Sequence, residues 1–284
     1  MLVVDETQTD LAALIMADFR GLRAPTTPSR DLVDWLHYRA RHVAERTRQV
    51  VRSNEVETHR GTYPAIDEIA HHLANGLDVS PRLSNSIRTK GSNPRADLMF
   101  NQWQVSHFHL GPWLDNPRRV ERTGPVLFAH IAADRAILLD VQPHGSWTQT
   151  NLLRILLRID PTTMHDIGPS GATTLTDTDH KTLRGKHSNA TVDIGGRSYN
   201  PPGWAIMASG DSMRFRVLAD YLEHLIGRTL HQIQANSLPP GLMQQLAGQI
   251  GVPVRLGVRF ERGLLILYEK NRGLDLAAPN MVVA

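Results

Sequence analysis

Apolar and polar positions alternate most sharply in the middle of the chain. In Gln104-Val105-Ser106-His107-Phe108-His109-Leu110-Gly111 the period is two, the repeat of an extended strand, so His107 and His109 share one face. Two further apolar runs follow, Val126 to Ile131 and Ala136 to Val141, split by Ala132-Ala133-Asp134-Arg135, whose composition suits a hairpin turn. His144 comes a short loop after the last run. This pattern predicts a small antiparallel sheet over 102–141 with three imidazoles near one end. Leu127, Phe128, Ile137 and Leu139 are its expected core residues, with Val258 from a later strand.

Upstream the spacing is helical. Leu11, Leu14, Ile15 and Phe19 recur on one face behind Thr9, a candidate cap. A second helix is expected from Asp31 to Val51 behind Ser29, with Leu32, Leu36, Val43 and Val50 on one side. Its other side carries Arg39, Arg41, Arg46, Arg48 and Arg52, either solvated or a guide for a polyanion. Pro64 and Gly76 bracket a third helix, Ala65 to Asn75. Residues 77–101 read as turns and a short helix, with turns at Ser80-Pro81 and Gly91-Ser92-Asn93-Pro94.

Downstream, a helix from Thr148 to Arg158 stops at Asp160-Pro161, because the residue before proline disfavours helical backbone. A loop to Thr178 leads to the cationic run 179–187. Ala190 to Ile194 and Arg197 to Tyr199 should pair about Gly195-Gly196. A long helix from Asp211 to Ala235 precedes a shorter one from Pro240 to Gly251. The chain then forms a hairpin of Val254–Phe260 with Leu264–Tyr268 about Arg262-Gly263. The fold class is therefore α+β: a helical N-terminal part, then a small antiparallel sheet with packed helices. The expected organisation is a helical region over 1–95 and an α+β region over 96–284 that carries the chemistry, or one continuous domain.

Composition narrows the classes. With 284 residues, 41% of them hydrophobic and 21% charged, the chain can build a sizeable core and reads as soluble and globular. No apolar run approaches the ~20 residues of a membrane span. Asp5 and Glu6 stand where a signal peptide carries basic residues, so the expected location is cytoplasmic, without a membrane. The absence of cysteine excludes disulfides, thiolate zinc sites and a cysteine nucleophile. Net charge is only +3, and four of the 31 basic residues are lysine, an arginine bias that base composition alone explains.

Candidate chemistry follows from the histidines. Two imidazoles at i and i+2 can divide acid and base roles on a phosphate or share a metal. The plain structural alternative is a pair of half-exposed histidines steadying a strand beside Trp103 and Trp113. His130 alternates with Phe128 and reads as a core histidine, and His71-His72 as helix surface. Lys181, Arg184 and Lys186 would seat a phosphate, with Gly185 letting backbone amides approach and Tyr199 adding a hydrogen bond. A solvated charged helix end is the alternative there. No phosphate-binding glycine loop, nucleophile elbow or zinc-protease motif occurs.

The stretch from Val126 to Val141, with His107-Phe108-His109-Leu110-Gly111 before it, resembles the RelE-type ribonuclease toxins of the barnase–EndoU–colicin–RelE group. Helices precede an antiparallel sheet there too, and its hairpin reads as apolar run, acidic turn, apolar run. The likeness covers residues 100–145. The string from His107 to Trp147, with Gly196, Tyr199 and Pro201, is also similar to uncharacterised bacterial proteins.

The leading expectation is a ribonuclease-like hydrolase cleaving phosphodiesters by metal-independent acid–base chemistry, in a toxin or phage-defence setting. His107, His109 and His144 would be catalytic, with Lys181, Arg184, Lys186 and Tyr199 holding substrate, no cofactor, RNA as partner and an antitoxin or immunity protein as regulator. Two alternatives stand beside it. One is a hydrolase or oxygenase with His107, His109 and either His144 or Asp140 holding zinc or iron. The other is a non-catalytic nucleic-acid-binding module using Arg39, Arg46 and Lys181.

Overall fold

The computed structural model describes residues 2–19, 28–84, 87, 97–114, 119–146, 148–171, 174–203, 205–247, 251–261 and 263–277. In chain order the elements are β1 (Val3–Asp5), α1 (Thr7–Phe19), α2 (Pro28–Arg41), β2 (Gln49–Arg52), α3 (Asn54–His59), α4 (Ala65–Asn75) and α5 (Leu98–Trp103). Then come β3 (Val105–His109), β4 (Pro125–Ile131), β5 (Arg135–Pro143), α6 (Thr150–Ile159), β6 (His165–Pro169), α7 (Asp177–Gly185), β7 (Val192–Ile194) and β8 (Arg197–Asn200). The last elements are α8 (Met213–Gln234), α9 (Pro240–Ala247), β9 (Val254–Glu261), β10 (Leu264–Glu269) and β11 (Leu274–Ala277). The class is α+β, as expected. Among the described residues no helix is long and apolar enough to cross a membrane.

Two compact units form: Met1–Ala40 with Phe215–Ala284, and Arg41–Arg214. The boundary expected at residue 95 thus falls inside the second unit. In the first unit the sheet order is β1-β9-β10-β11, with β1 parallel to β9 and the other pairs antiparallel. Helix α1 starts two residues before Thr9, because the Asp5 carboxylate accepts from both the backbone N–H (3.0 Å) and hydroxyl (2.7 Å) of Thr7. The expected hairpin is β9–β10, although Arg262 of its turn lies outside the described residues.

The second unit carries the sheet β2-β5-β4-β3, where β2 runs parallel to β5 and the remaining pairs are antiparallel. Strand β2 overturns the expected helix 31–51, which stops at Arg41. Buried Arg48 explains the change: its guanidinium donates to the carbonyls of Ala44 (2.9 Å) and Arg46 (3.0 Å), which a continuing helix would bond internally, and to that of distant Ala132 (2.9 Å). The arginines read as one face are accordingly dispersed, with Arg41 buried against Asp97 and Arg52 paired to Asp67. Val105, Val126, Phe128 and Ile137 form one core cluster with Leu152 and Leu156 of α6.

Helix α4 has the bounds expected from Pro64 and Gly76, the latter left-handed at φ 69°. The β7–β8 hairpin turns through Gly195 and Gly196 at φ 59° and 78°, the positive angles a tight two-residue hairpin needs. The loop expected before Thr178 contains β6, which pairs with β8. The turn at Gly91-Ser92-Asn93-Pro94, Lys90 and Trp147 lie outside the described residues.

Leu127, Phe128, Ile137, Leu139 and Val258 are all buried. Phe128 sits fully enclosed on the central strand β4, so Phe128→Ala should lower unfolding free energy by about 3–5 kcal/mol in urea denaturation. A loss under about 1 kcal/mol would show that the site is not enclosed.

Candidate metal centre

Strand β3 presents His107 and His109 on the face that carries Val105. Pairing sets them opposite Phe128 and Val126 of β4, while Pro125 of β4 faces Pro143 of β5. The C-terminal ends of β3 and β5 therefore lie at the same end of the sheet, on either side of β4, and the residue after Pro143 is His144. Residues between the strands tie the two ends together. The His144 N–H donates to the Gly124 carbonyl, and the Thr123 hydroxyl accepts from Leu110 N–H at 3.3 Å while donating to the Pro125 carbonyl at 2.8 Å.

The three rings form a near-equilateral group, with centroids 6.0 Å apart for His107–His109, 5.9 Å for His107–His144 and 5.7 Å for His109–His144. One nitrogen from each lies within 4.8 Å of the other two. Tetrahedral zinc with bonds of about 2.0–2.1 Å holds its ligand nitrogens roughly 3.4 Å apart, a contraction that small ring rotations supply. Three nitrogen donors with no carboxylate among them match the preferences of zinc.

The environment keeps the two strand imidazoles neutral. His107 and His109 are buried, while His144 is exposed. Burial pushes the His107 pKa down, Asp97 opposes this, and Arg41, His144 and Arg122 reinforce it. Burial also takes His109 down to about 3, helped by Arg122, His107 and His144 and opposed by a backbone hydrogen bond to Thr123. A neutral imidazole offers a lone pair, which a metal needs. His109 Nδ1 is buried without a hydrogen-bond partner. Such an atom costs about 1–3 kcal/mol in a native structure unless something binds it.

Sequence reasoning missed the support beneath the site. Arg82, from the 3-10 turn Ser80–Arg82, is buried and donates to the His109 and Gly111 carbonyls. Its separation of 27 residues from His109 leaves no local signal. Gly111 has a detectable reason to be glycine: a Cβ there would come within 2.3 Å of the Glu121 carbonyl oxygen.

The 179–187 run is divided between surface and interior. Lys181 and Lys186 are exposed, but Arg184 is buried, with Nη1 3.8 Å from Met99 Sδ and its pKa lowered by burial to about 10. Lys181 and Arg184 thus do not present a common cationic face. The charges felt most strongly by His107 and His109 are those of Asp97, Arg41 and Arg122. Tyr199 packs in the core cluster with Phe128 and Leu156. Asp140 is outside the ligand group; its carboxylate accepts from the Gln142 amide at 2.6 Å and pairs with His59 at 3.5 Å. His130 faces Val105 and Ile137 as a buried core histidine.

Comparison of the chain with protein-family models, curated proteins and solved structures gives no match.

Because the folded-state pKa of His109 is about 3, below its unfolded value of about 6.5, the unfolded chain takes up the proton first as pH falls. Its contribution to stability is complete above pH ~6.5 and is lost progressively toward pH ~3, at no more than about 1.4 kcal/mol per pH unit. In urea titrations with chelator at several pH values between 7 and 4, His109→Gln should show a shallower acid slope than wild type. Parallel slopes would show that His109 titrates normally.

Proposed function

We propose that His107, His109 and His144 hold one divalent metal ion, zinc before iron, and that the protein is a metal-dependent hydrolase. The observation that carries this reading is the convergence of three imidazole nitrogens within 4.8 Å at the end of the sheet where β3 and β5 finish on either side of β4. Bound zinc would lower the pKa of a coordinated water toward about 7 and polarise an acyl or phosphoryl oxygen. His107 and His109, held by the strand, supply two neutral donors from the buried side. His144 supplies the third from the exposed side, leaving solvent and substrate an approach. An RNA phosphodiester is one substrate such a centre would cleave.

The donor set favours zinc hydrolysis over iron oxygenation, whose usual centre pairs two histidines with a carboxylate. Asp140 is engaged by Gln142 and His59, and Asp97 by Arg41. Acid–base cleavage without metal needs one imidazole protonated near neutral pH. The low pKa of His109 weighs against giving it that proton.

Protein purified without chelator should retain about one equivalent of zinc after dialysis, and His107→Ala, His109→Ala and His144→Ala should each lose it. Zinc at a thousandfold excess over its Kd should raise wild-type stability by about 4 kcal/mol. In parallel, ester and phosphodiester substrates should be hydrolysed in zinc and not in EDTA. A wild-type protein that neither carries nor takes up stoichiometric metal would falsify the centre, and cleavage surviving EDTA would favour the acid–base reading.

A further inference from the structure

His107 lies inside the β3–β4 ladder, but His109 is its last paired residue, opposite Val126. Beyond it the carbonyls of His109 and Gly111 are received by one side chain. Arg82 Nη1 donates to His109 O at 3.1 Å and to Gly111 O at 3.0 Å. The same guanidinium is held from behind by Glu68, with Nη2 2.7 Å from Oε2 and Nε 3.3 Å from Oε1. Glu68 Oε1 also accepts from the Trp113 indole at 2.9 Å, and the Trp113 ring lies 5.3 Å from the guanidinium carbon. Arg82 itself is only 2% exposed.

We propose that Arg82 is the positioning residue that sets the metal affinity of the three-histidine centre, an assignment that rests on reading that centre as a metal site. A carbonyl turned by its hydrogen bond turns the peptide plane, and with it the direction of the adjoining Cα–Cβ bond. By fixing the carbonyls on either side of Leu110, Arg82 fixes the exit of the chain from β3 and hence the aim of the His109 ring. The rigid, planar fork suits this task, since one group reaches two carbonyls and a carboxylate at once. Groups that orient metal ligands from outside typically change affinity 10–100-fold when removed.

Arg48 supplies a matched control. It is also a buried arginine of the same unit, and it donates to the carbonyls of Ala44, Arg46 and Ala132, none of them a histidine of the centre. Zinc affinity should be measured by competition with a chromophoric chelator, and the visible spectrum of the cobalt-substituted protein recorded, for wild type, Arg82→Gln, Arg82→Lys, Glu68→Gln and Arg48→Gln. Thermal melts of each protein in chelator report stability separately. Arg82→Gln should weaken zinc binding by about 10–100-fold and alter the cobalt spectrum, with Arg82→Lys recovering part of both. Arg48→Gln should lower the melting temperature and leave affinity and spectrum unchanged.

Wild-type affinity in Arg82→Gln, or an equal loss in Arg48→Gln, would overturn the assignment. Should Arg82→Gln show no cooperative melt, Glu68→Gln decides, because it loosens Arg82 from a half-exposed position; an unchanged affinity and spectrum there would overturn it equally. A wild-type protein that binds no metal defeats the centre itself, whereas wild-type binding left intact by these variants defeats the role of Arg82 alone.

Discussion

The register of β4 between its two neighbours is the constraint on which the candidate site depends. His109 opposes Val126 and Pro125 opposes Pro143, so His109 and His144 arrive at one end of the sheet. A slip of one residue in β3 would send His107 and His109 to the opposite face and put Phe108 in their place. The packing resists that slip, because Phe108 and Phe128 are both fully buried. A register irregularity between Phe128 and Ala129 lies on the same strand. Local departures of this kind re-aim side chains near functional sites without breaking the ladder.

That arrangement has an energetic tension within it. Two imidazoles occupy positions on a face that otherwise packs valine and phenylalanine against α6. Their low pKa values follow from the same burial that stabilises their neighbours. Left alone, a buried ring nitrogen such as His109 Nδ1 detracts from folding. Under the proposed metal reading, a bound ion would offset part of that cost by taking one nitrogen of the ring as a ligand. His130 on the same sheet also buries an unpartnered Nδ1, yet among the described residues it belongs to no converging group, so it is the convergence and not the orphaned nitrogen that distinguishes the site.

Where structure is set by neighbours in sequence, the pattern was readable. The alternation over 104–111, the Pro64-to-Gly76 helix and the Gly195-Gly196 turn carry their causes within a few residues. The three histidines were legible as a group because two share a strand face and the third follows a strand of the same sheet. Strand β2 was not, since the residues after Arg41 contain no helix breaker. The chain leaves the helix there under the hold of Arg48 on Ala132, 84 residues away, and through parallel pairing with β5. Arg184 and Tyr199 were misleading for the converse reason: a polar side chain near a cationic run has no local mark of being buried by α5 or the sheet core. The distant support of Arg82 left no mark either.

The unequal burial of the three rings constrains which side of the centre can do chemistry. His107 and His109 rise from a packed sheet face, so a metal held between them has protein behind it. His144 stands on the exposed turn after β5, and its ring stacks on His109 at an interplanar angle of 25°. If the three rings hold a metal as proposed, a substrate would reach it from the side of exposed His144, since His107 and His109 are buried. Such a centre has a rigid base and a single solvent-facing edge. On the proposed hydrolase reading, that form would suit activation of one water against a substrate that approaches from bulk solvent.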